Sequence, residues 1–282
     1  MMHGYMGKVL SIDLSSREIL ERDLDAGLAQ KFIGGTGIGT RILYDEVGPD
    51  VDPLGPDNII IFATGPLTGT AAPTNGRVEV TTKSPLTGII ASSNTGGYWG
   101  PALKWAGYDV LIVRGISKEP VVIWIDNGKV EIRSARHLWG KDTWETSDIL
   151  KQELGERREN DIPVMAIGPA GENLVRFSCP CNEYFHVAAR CGLGAVMGSK
   201  KLKAIAVRGS RKVPIARPAD FRQAVKEAAG RIKGCMPIPW TTYRKSGPMA
   251  TARRWYEHGT LPGKNSRVGR LPGWLENVTL EV

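Results

Sequence analysis

The sequence has too little of several things to belong to some common classes. Four cysteines in 282 residues are too few for a disulfide scaffold, so a reducing compartment, the cytoplasm, is expected. No uninterrupted apolar run approaches the roughly 20 residues that cross a bilayer. The start, Met1-Met2-His3-Gly4-Tyr5-Met6-Gly7, has no basic segment leading into an apolar one, so no membrane span and no export are expected. Histidine is scarce: His3, His137, His186 and His258 include no pair at zinc-like spacing. Cys179-Pro180-Cys181 with Cys191 lacks the room of a C-x-x-C clip and reads as buried or idle thiols. There is no Ser-His-Asp or Cys-His nucleophile, no obvious carboxylate pair and no P-loop. What is visible is binding chemistry, not proton transfer.

What is present is ordinary for a globular chain: 41% hydrophobic and 23% charged residues, with the 34 Gly and 18 Pro set between periodic segments. Charge is uneven. Residues 1–198 hold 19 Lys and Arg against 24 Asp and Glu, and residues 199–282 hold 18 against 5, so the basic excess lies in the last third. Such a surface suits phosphate groups or an acidic companion. The tail carries Trp240, Tyr243, Trp255, Tyr256 and Trp274 among its arginines but no zinc-finger or RNP motif, and nucleic acid is not expected as a partner.

The first two thirds predict strands punctuated by turns. Val9 to Leu14 partly alternates, Ile59 to Ala63 is a continuous buried run, and Arg77 to Thr81 alternates again. A hairpin should join 121–125 to 129–132 through Asp126-Asn127-Gly128, because Asn-Gly accepts positive φ. Further strands are expected at 109–114, 162–167, 174–178 and 202–207, and helices at 25–33 and 37–47. Asp142 with Glu145 three positions on forms a capping box for another helix. After residue 213 the pattern turns helical: Pro218 precedes Phe221, Val225, Ala228 and Ile232, and Pro248 opens a helix toward Trp255. Little after Leu261 could close a core, so the chain is expected to stop short of a longer architecture.

Three glycine-rich segments carry Arg, Asn, Ser or Lys beside the glycines: 34–39, then 75–77 with 93–100, and 190–200. Glycine lets the main chain approach an anion and turn amides toward it, so phosphate or pyrophosphate is the natural guest. Taken singly, each segment is more often just a tight turn than a ligand contact. The third spaces its glycines G-x-G-x-x-x-G, which is not the dinucleotide fingerprint. Tyr98 and Trp99 could cover a ligand or fill core, with core favoured for Trp99.

Ala63-Thr64-Gly65-Pro66-Leu67-Thr68-Gly69-Thr70, Thr82-Lys83-Ser84-Pro85-Leu86-Thr87-Gly88, Asn94-Thr95-Gly96-Gly97-Tyr98-Trp99-Gly100, Leu103-Lys104-Trp105-Ala106-Gly107-Tyr108-Asp109, Ile167-Gly168-Pro169-Ala170-Gly171-Glu172-Asn173 and Gly192-Leu193-Gly194-Ala195-Val196-Met197-Gly198-Ser199-Lys200 closely resemble the N-terminal domain of the aldehyde:ferredoxin oxidoreductase family. The resemblance runs from about residue 5 to 210. It implies an α+β fold: a two-sheet, β-rich saddle over 1–210 that binds pterin, followed by the start of a helical domain over 211–282. It further implies tungsten, or molybdenum, held between two pterin dithiolenes near a [4Fe-4S] cluster, and oxidation of an aldehyde to a carboxylic acid with two electrons passed to ferredoxin or an electron-transfer subunit.

Carried over by motif, Arg77 and Asn94 would contact pterin phosphate or ring edges, and Gly96 would allow close approach. His186 stands where some members have Arg. Asn94 and the main chain of Val187 would hold a magnesium ion bridging the pterin phosphates, with Arg190 beside them. Cys191 replaces a glycine usual in the family, so it either tolerates that backbone or presents sulfur to the cofactor. The family's cluster ligands and acid/base residues lie downstream, so the cluster and the substrate pocket are expected only with the remaining catalytic domains or a partner chain. Relatives in the family act on aromatic thioesters and keto acids as well. The alternative reading is a non-catalytic subunit or carrier module that holds pterin.

Overall fold

Apolar patterning resolves into two six-stranded sheets in a computed structural model that describes residues 2–158, 161–235 and 240–274. The side chains of Cys235, Trp240, Thr241 and Arg244 lie outside the described set, as do residues 275–282, so the readings placed on the Trp240 ring and on the chain beyond residue 274 fall outside it. The first sheet takes Lys8–Asp13 (β1), Glu18–Asp23 (β2), Ile60–Thr64 (β3), Val78–Lys83 (β4), Ile90–Thr95 (β5) and Val110–Arg114 (β6), in the order β2-β1-β6-β3-β4-β5. The second takes Val121–Asp126 (β7), Lys129–Ser134 (β8), Val164–Ala166 (β9), Cys181–Asn182 (β10), His186–Val187 (β11) and Leu202–Arg208 (β12), in the order β11-β10-β9-β12-β7-β8. Both are mixed, with β1 parallel to β6 and β12 parallel to β7. The fold is α+β.

Side-chain alternation sorts the core into layers. Leu10, Ile12, Phe62, Val80, Leu111 and Val113 face inward from the first sheet, and Ile123, Ile125, Met165, Ile205 and Val207 from the second, forming one core cluster. Two helices, Trp99–Ala106 (α3) and Leu193–Ser199 (α6), pack between the sheets against strands of both. On the outer face of the first sheet, Val9, Ile61 and Ile112 meet Ile38, Ile42 and Leu43 of Gly35–Glu46 (α2), with Ala26–Phe32 (α1) beside it. On the outer face of the second, Val122, Trp124 and Ala206 meet Leu150 of Thr143–Glu153 (α4). With both faces covered, β3 and β6 read as continuous apolar runs.

Local signals set several elements. Asn127 (φ 50°) and Gly128 (φ 97°) make the two-residue turn between β7 and β8, and Asp142 with Glu145 closes a full capping box on α4. The strand expected at 174–178 is instead a run of turns after the short helix Pro169–Glu172 (α5). The amides of Leu174, Val175 and Ser178 bond to Gly171, Ala170 and Val175 carbonyls, so the segment satisfies itself locally and joins no ladder.

Contacts among the described residues divide the chain into two compact units, Met1–Pro218 and Ala219–Val282. Pro218–Cys235 (α7) leads into the second, followed by Trp240–Ser246 (α8), a 3₁₀ turn at Gly247–Thr251 and Ala252–Glu257 (α9). There Tyr256 stacks on Trp274 at 6.3 Å between centroids, and Arg270 Nε donates to the Tyr256 carbonyl at 3.0 Å. Among the described residues no helix is long and apolar enough to cross a membrane.

Candidate functional site

Each sheet ends in an edge strand, β5 in the first and β11 in the second, and these two edges meet. Arg77 directly precedes β4, whose register pairs Val78 with Thr95 and Glu79 with Asn94, so its guanidinium lies beside the end of β5. There Arg77 Nη1 donates to Asn94 Oδ1, and both residues are exposed. The chain then turns through Gly96 and Gly97 into α3. A Cβ on Gly96 would stand 3.3 Å from His186 Cδ2, so the imidazole lies over that glycine. A Cβ on Gly76 would stand 2.5 Å from the Gly97 carbonyl oxygen, which brings the 75–77 loop against the same turn. Ser93 Oγ donates to the Ala189 carbonyl at 2.8 Å and draws the stretch carrying Val187 and Arg190 alongside β5. Arg77, Asn94, Gly96, His186, Val187 and Arg190 thus lie on adjoining segments, with His186, Val187 and Arg190 exposed.

Beneath them are two residues the sequence reading missed, Asn182 and Glu183. Asn182, 1% exposed, donates through Nδ2 to Thr95 Oγ1 at 2.9 Å and to the Gly96 carbonyl at 3.2 Å, while its Oδ1 has no hydrogen-bond partner. The buried Glu183 carboxylate accepts the Tyr98 amide and lies 3.9 Å from His186 Nδ1. Burial pushes its carboxyl above the usual range, opposed by the Tyr98 and Trp99 amides and by Lys151. A signal was available: Tyr98, the N-cap residue of α3, has no side-chain cap bond, so the helix needs an acceptor from elsewhere.

In the two other glycine-rich segments the glycines themselves are closely packed against the rest of the chain. In 34–39, Cβ atoms on Gly34 and Gly39 would stand 2.7 Å from the Thr64 carbonyl oxygen and 2.6 Å from Thr81 Oγ1. In 190–200, one on Gly194 would stand 2.8 Å from Ser178 Oγ, and one on Gly198 would strike the Gly171 carbonyl. Lys200, fully buried, donates to the Asn58 carbonyl at 2.5 Å and the Gly115 carbonyl at 3.1 Å, so it holds main chain together instead of meeting an anion. Trp99 is core, its Nε1 bonded to the Ile205 carbonyl at 2.9 Å, while Tyr98 is half exposed.

Arg190, Cys191 and Gly192 have φ of 64°, 61° and 76°. Cys191 tolerates this left-handed backbone, and its side chain packs against the inter-sheet core, with Sγ directed to the Ser92 carbonyl at 3.9 Å. Burial pushes the Cys179 thiol up and that of Cys181 up to about 11, which disfavours the thiolate at both. Among the described residues no group of three His, Cys, Asp or Glu is placed to hold a metal ion.

The donor set is therefore guanidinium, carboxamide, imidazole and glycine-lined main chain, partners for phosphate and for the polar edges of a heterocycle. A bulky phosphorylated pterin that brings its own sulfur ligands for a metal fits this set. The set asks no thiolate or histidine cluster of the protein.

The family described as aldehyde ferredoxin oxidoreductase, N-terminal domain, matches residues 9–209. Tungsten-containing aldehyde ferredoxin oxidoreductase of Pyrococcus furiosus is 44% identical over 271 residues, covering 96% of this chain and 44% of the relative, and that of Thermococcus kodakarensis is 44% identical over 268 residues, covering 95% and 44%. An aliphatic sulfonate oxidoreductase, WOR-like subunit, of Pyrococcus furiosus is 40% identical over 225 residues, covering 76% and 36%. Among solved structures, the active-site complex BamBC of benzoyl coenzyme A reductase, in complex with 1,5-dienoyl-CoA, matches with a TM-score of 0.81 and 42% identity, covering 84% of this chain and 37% of that one. The chain thus spans less than half the length of these relatives.

Proposed function

The chain belongs to the aldehyde ferredoxin oxidoreductase family, and from that premise we propose that it forms the pterin platform of a tungsten, or molybdenum, oxidoreductase that oxidises aldehydes to carboxylic acids and delivers electrons to ferredoxin. The observation that carries this reading is the convergence of Arg77, Asn94, Gly96 and His186 where the edges of the two sheets meet. When bound, the cofactor supplies a two-electron redox metal carried on its own dithiolene sulfurs.

The chain's residues bind and orient. Arg77 keeps guanidinium N–H groups beyond the one given to Asn94, and these reach a phosphate or ring edge. Gly96 lets main chain approach the ring system. His186 and Arg190 add donors on the opposite wall. Asn94 Oδ1 has a lone pair beyond the one that accepts from Arg77, and together with the Val187 main-chain carbonyl it would hold a magnesium ion. The [4Fe-4S] cluster, the substrate pocket and the ferredoxin contact fall, on this reading, to the part of the relatives' length that this chain does not span.

Anaerobic expression of the chain with tungstate, followed by metal and pterin analysis, tests the assignment. Pterin and tungsten should copurify, and Arg77→Ala and Asn94→Ala should each lower the retained pterin at least tenfold without changing the melting temperature by more than a few degrees. A chain that carries neither metal nor pterin, or variants that retain both at full level, would overturn the proposal.

A further inference from the structure

We propose that Asn182 and Glu183 are positioning residues for this site: reaching from the second sheet, they latch the 95–99 turn of the first and hold Gly96 and Asn94 in place. The proposal rests on the cofactor reading above for the purpose of the latch, though not for its existence.

Three observations carry it. The first is the missing cap. α3 begins at a tyrosine that cannot cap it, and the acceptor its first amides require arrives from a distant segment as the Glu183 carboxylate, 7% exposed and bonded by the Tyr98 amide. The second is fit. Gly97 has φ +85°, and a Cβ there would stand 2.5 Å from Glu183 Oε2 and 2.9 Å from Asn182 Oδ1, so the turn closes on both side chains with no room to spare. Asn182 adds its two donations to Thr95 and Gly96, and together the pair engages nearly every residue of the turn. The third is that the hairpin bearing them is itself held. Glu183 and Tyr184 take φ of 47° and 69°, the Tyr184 hydroxyl donates to Asp148 of α4, and the Tyr184 and Phe185 rings meet Trp144 of α4 edge-on at 5.5 and 5.4 Å.

The anion-binding end of α3 is thereby filled by a protein carboxylate. A phosphate cannot use those amides, which leaves the side chains of Arg77, His186 and Arg190 as the anion partners. Asn182 and Glu183 touch no reacting atom on this account. They fix how the 95–99 turn sits against the second sheet.

The test compares Glu183→Gln and Asn182→Ala with a core control, Ile205→Val, in the full chain, by amide hydrogen exchange and by pterin retained after anaerobic expression with tungstate. In Glu183→Gln the Tyr98 and Trp99 amides should exchange at least tenfold faster while those of β3 and β12 keep their rates. Asn182→Ala should loosen the segment around Gly96 in the same way. Both variants should retain several-fold less pterin, and the control should change neither readout. Unchanged exchange at 98–99 overturns the latch. Loosened exchange with full pterin retention overturns its role in the site. A wild-type chain without pterin sinks the cofactor reading and the purpose assigned here, while exchange still decides whether the latch exists.

Discussion

Lys104 and Lys200 are fully buried, an expensive place for an ammonium group, and each is kept there by main-chain carbonyls. Lys104 donates to Gly4 and Gly65 and lies 3.5 Å from Asp109, and Lys200 holds Asn58 and Gly115. Desolvation lowers both from the ordinary 10.5 to about 8. Below pH 8 folded and unfolded chains bind the same protons and the fold carries the whole cost of the buried charges. Above it the folded state releases protons first, so the unfolded state holds more of them and stability rises with pH. Buried Cys181 and Tyr108, whose acids are pushed up, reverse the trend at higher pH. Melting temperature should therefore climb between pH 7.5 and 9, by an amount corresponding to roughly 1–2 kcal/mol, and Lys104→Met or Lys200→Met should flatten the climb. A profile that falls across this window would contradict the assignment. Neither burial was legible in the sequence: Lys200 stands among Ser199, Lys201 and Lys203, and the carbonyls that receive the two lysines come from segments up to 142 residues away.

At the scale of elements, one substitution should act in opposite directions according to what surrounds the glycine. Gly198 lies in α6 against α5, where a Cβ would strike the Gly171 carbonyl and neither backbone can yield. Gly198→Ala should cost about 3 kcal/mol or more in urea unfolding. Gly230 lies within α7 with nothing inside 4 Å of its Cβ position, so Gly230→Ala should raise helicity and stabilise its unit by about 0.5–1 kcal/mol. Equal effects at the two sites would refute the packing role of the 190–200 glycines. The helix α4 offers a second test: Trp144→Ala removes the ring against which Tyr184 and Phe185 rest, and should cost about 1 kcal/mol while speeding amide exchange across 183–187. Elements with local signatures were legible: the Asn127-Gly128 turn, the Asp142 box and the apolar run of β3. Those defined by their neighbours were not. The charged edge strand β2, the Ser- and Asn-rich β5 and the Gly- and Pro-bearing α3 carry no period of their own, and the apolar residues of 174–178 mimicked a strand they do not form.

At the scale of the whole molecule, the site was legible only in outline. The motifs around Arg77, Asn94 and 186–190 pointed to a bound polar cofactor, but strand order β2-β1-β6-β3-β4-β5 depends on pairings that no local pattern encodes, and the meeting of β5 with β11 depends on two such orders at once. Asn182 and Glu183, which reach the 95–99 turn from the second sheet, become visible only when that meeting is known. The three core clusters of the two sheets draw all their buried members from residues 9–207, so the platform holds its apolar contacts within the first compact unit. We therefore propose residues 1–218 as an independently folding unit, a few residues longer than the 1–210 expected from sequence, because the Gly4 amide bonds to the Pro214 carbonyl and the Arg211 amide to that of Trp105. A fragment ending at Pro218 should unfold in one cooperative transition with a free energy within about 1 kcal/mol of the same transition in the full chain, while a fragment ending at 209 should lose about 1–2 kcal/mol as those bonds and the Arg211 contact with the Asn127 carbonyl are removed. Urea unfolding followed by tryptophan fluorescence compares the three chains directly. If the 218-residue fragment melts broadly or loses several kcal/mol, the platform depends on residues beyond it, and the division proposed here is wrong.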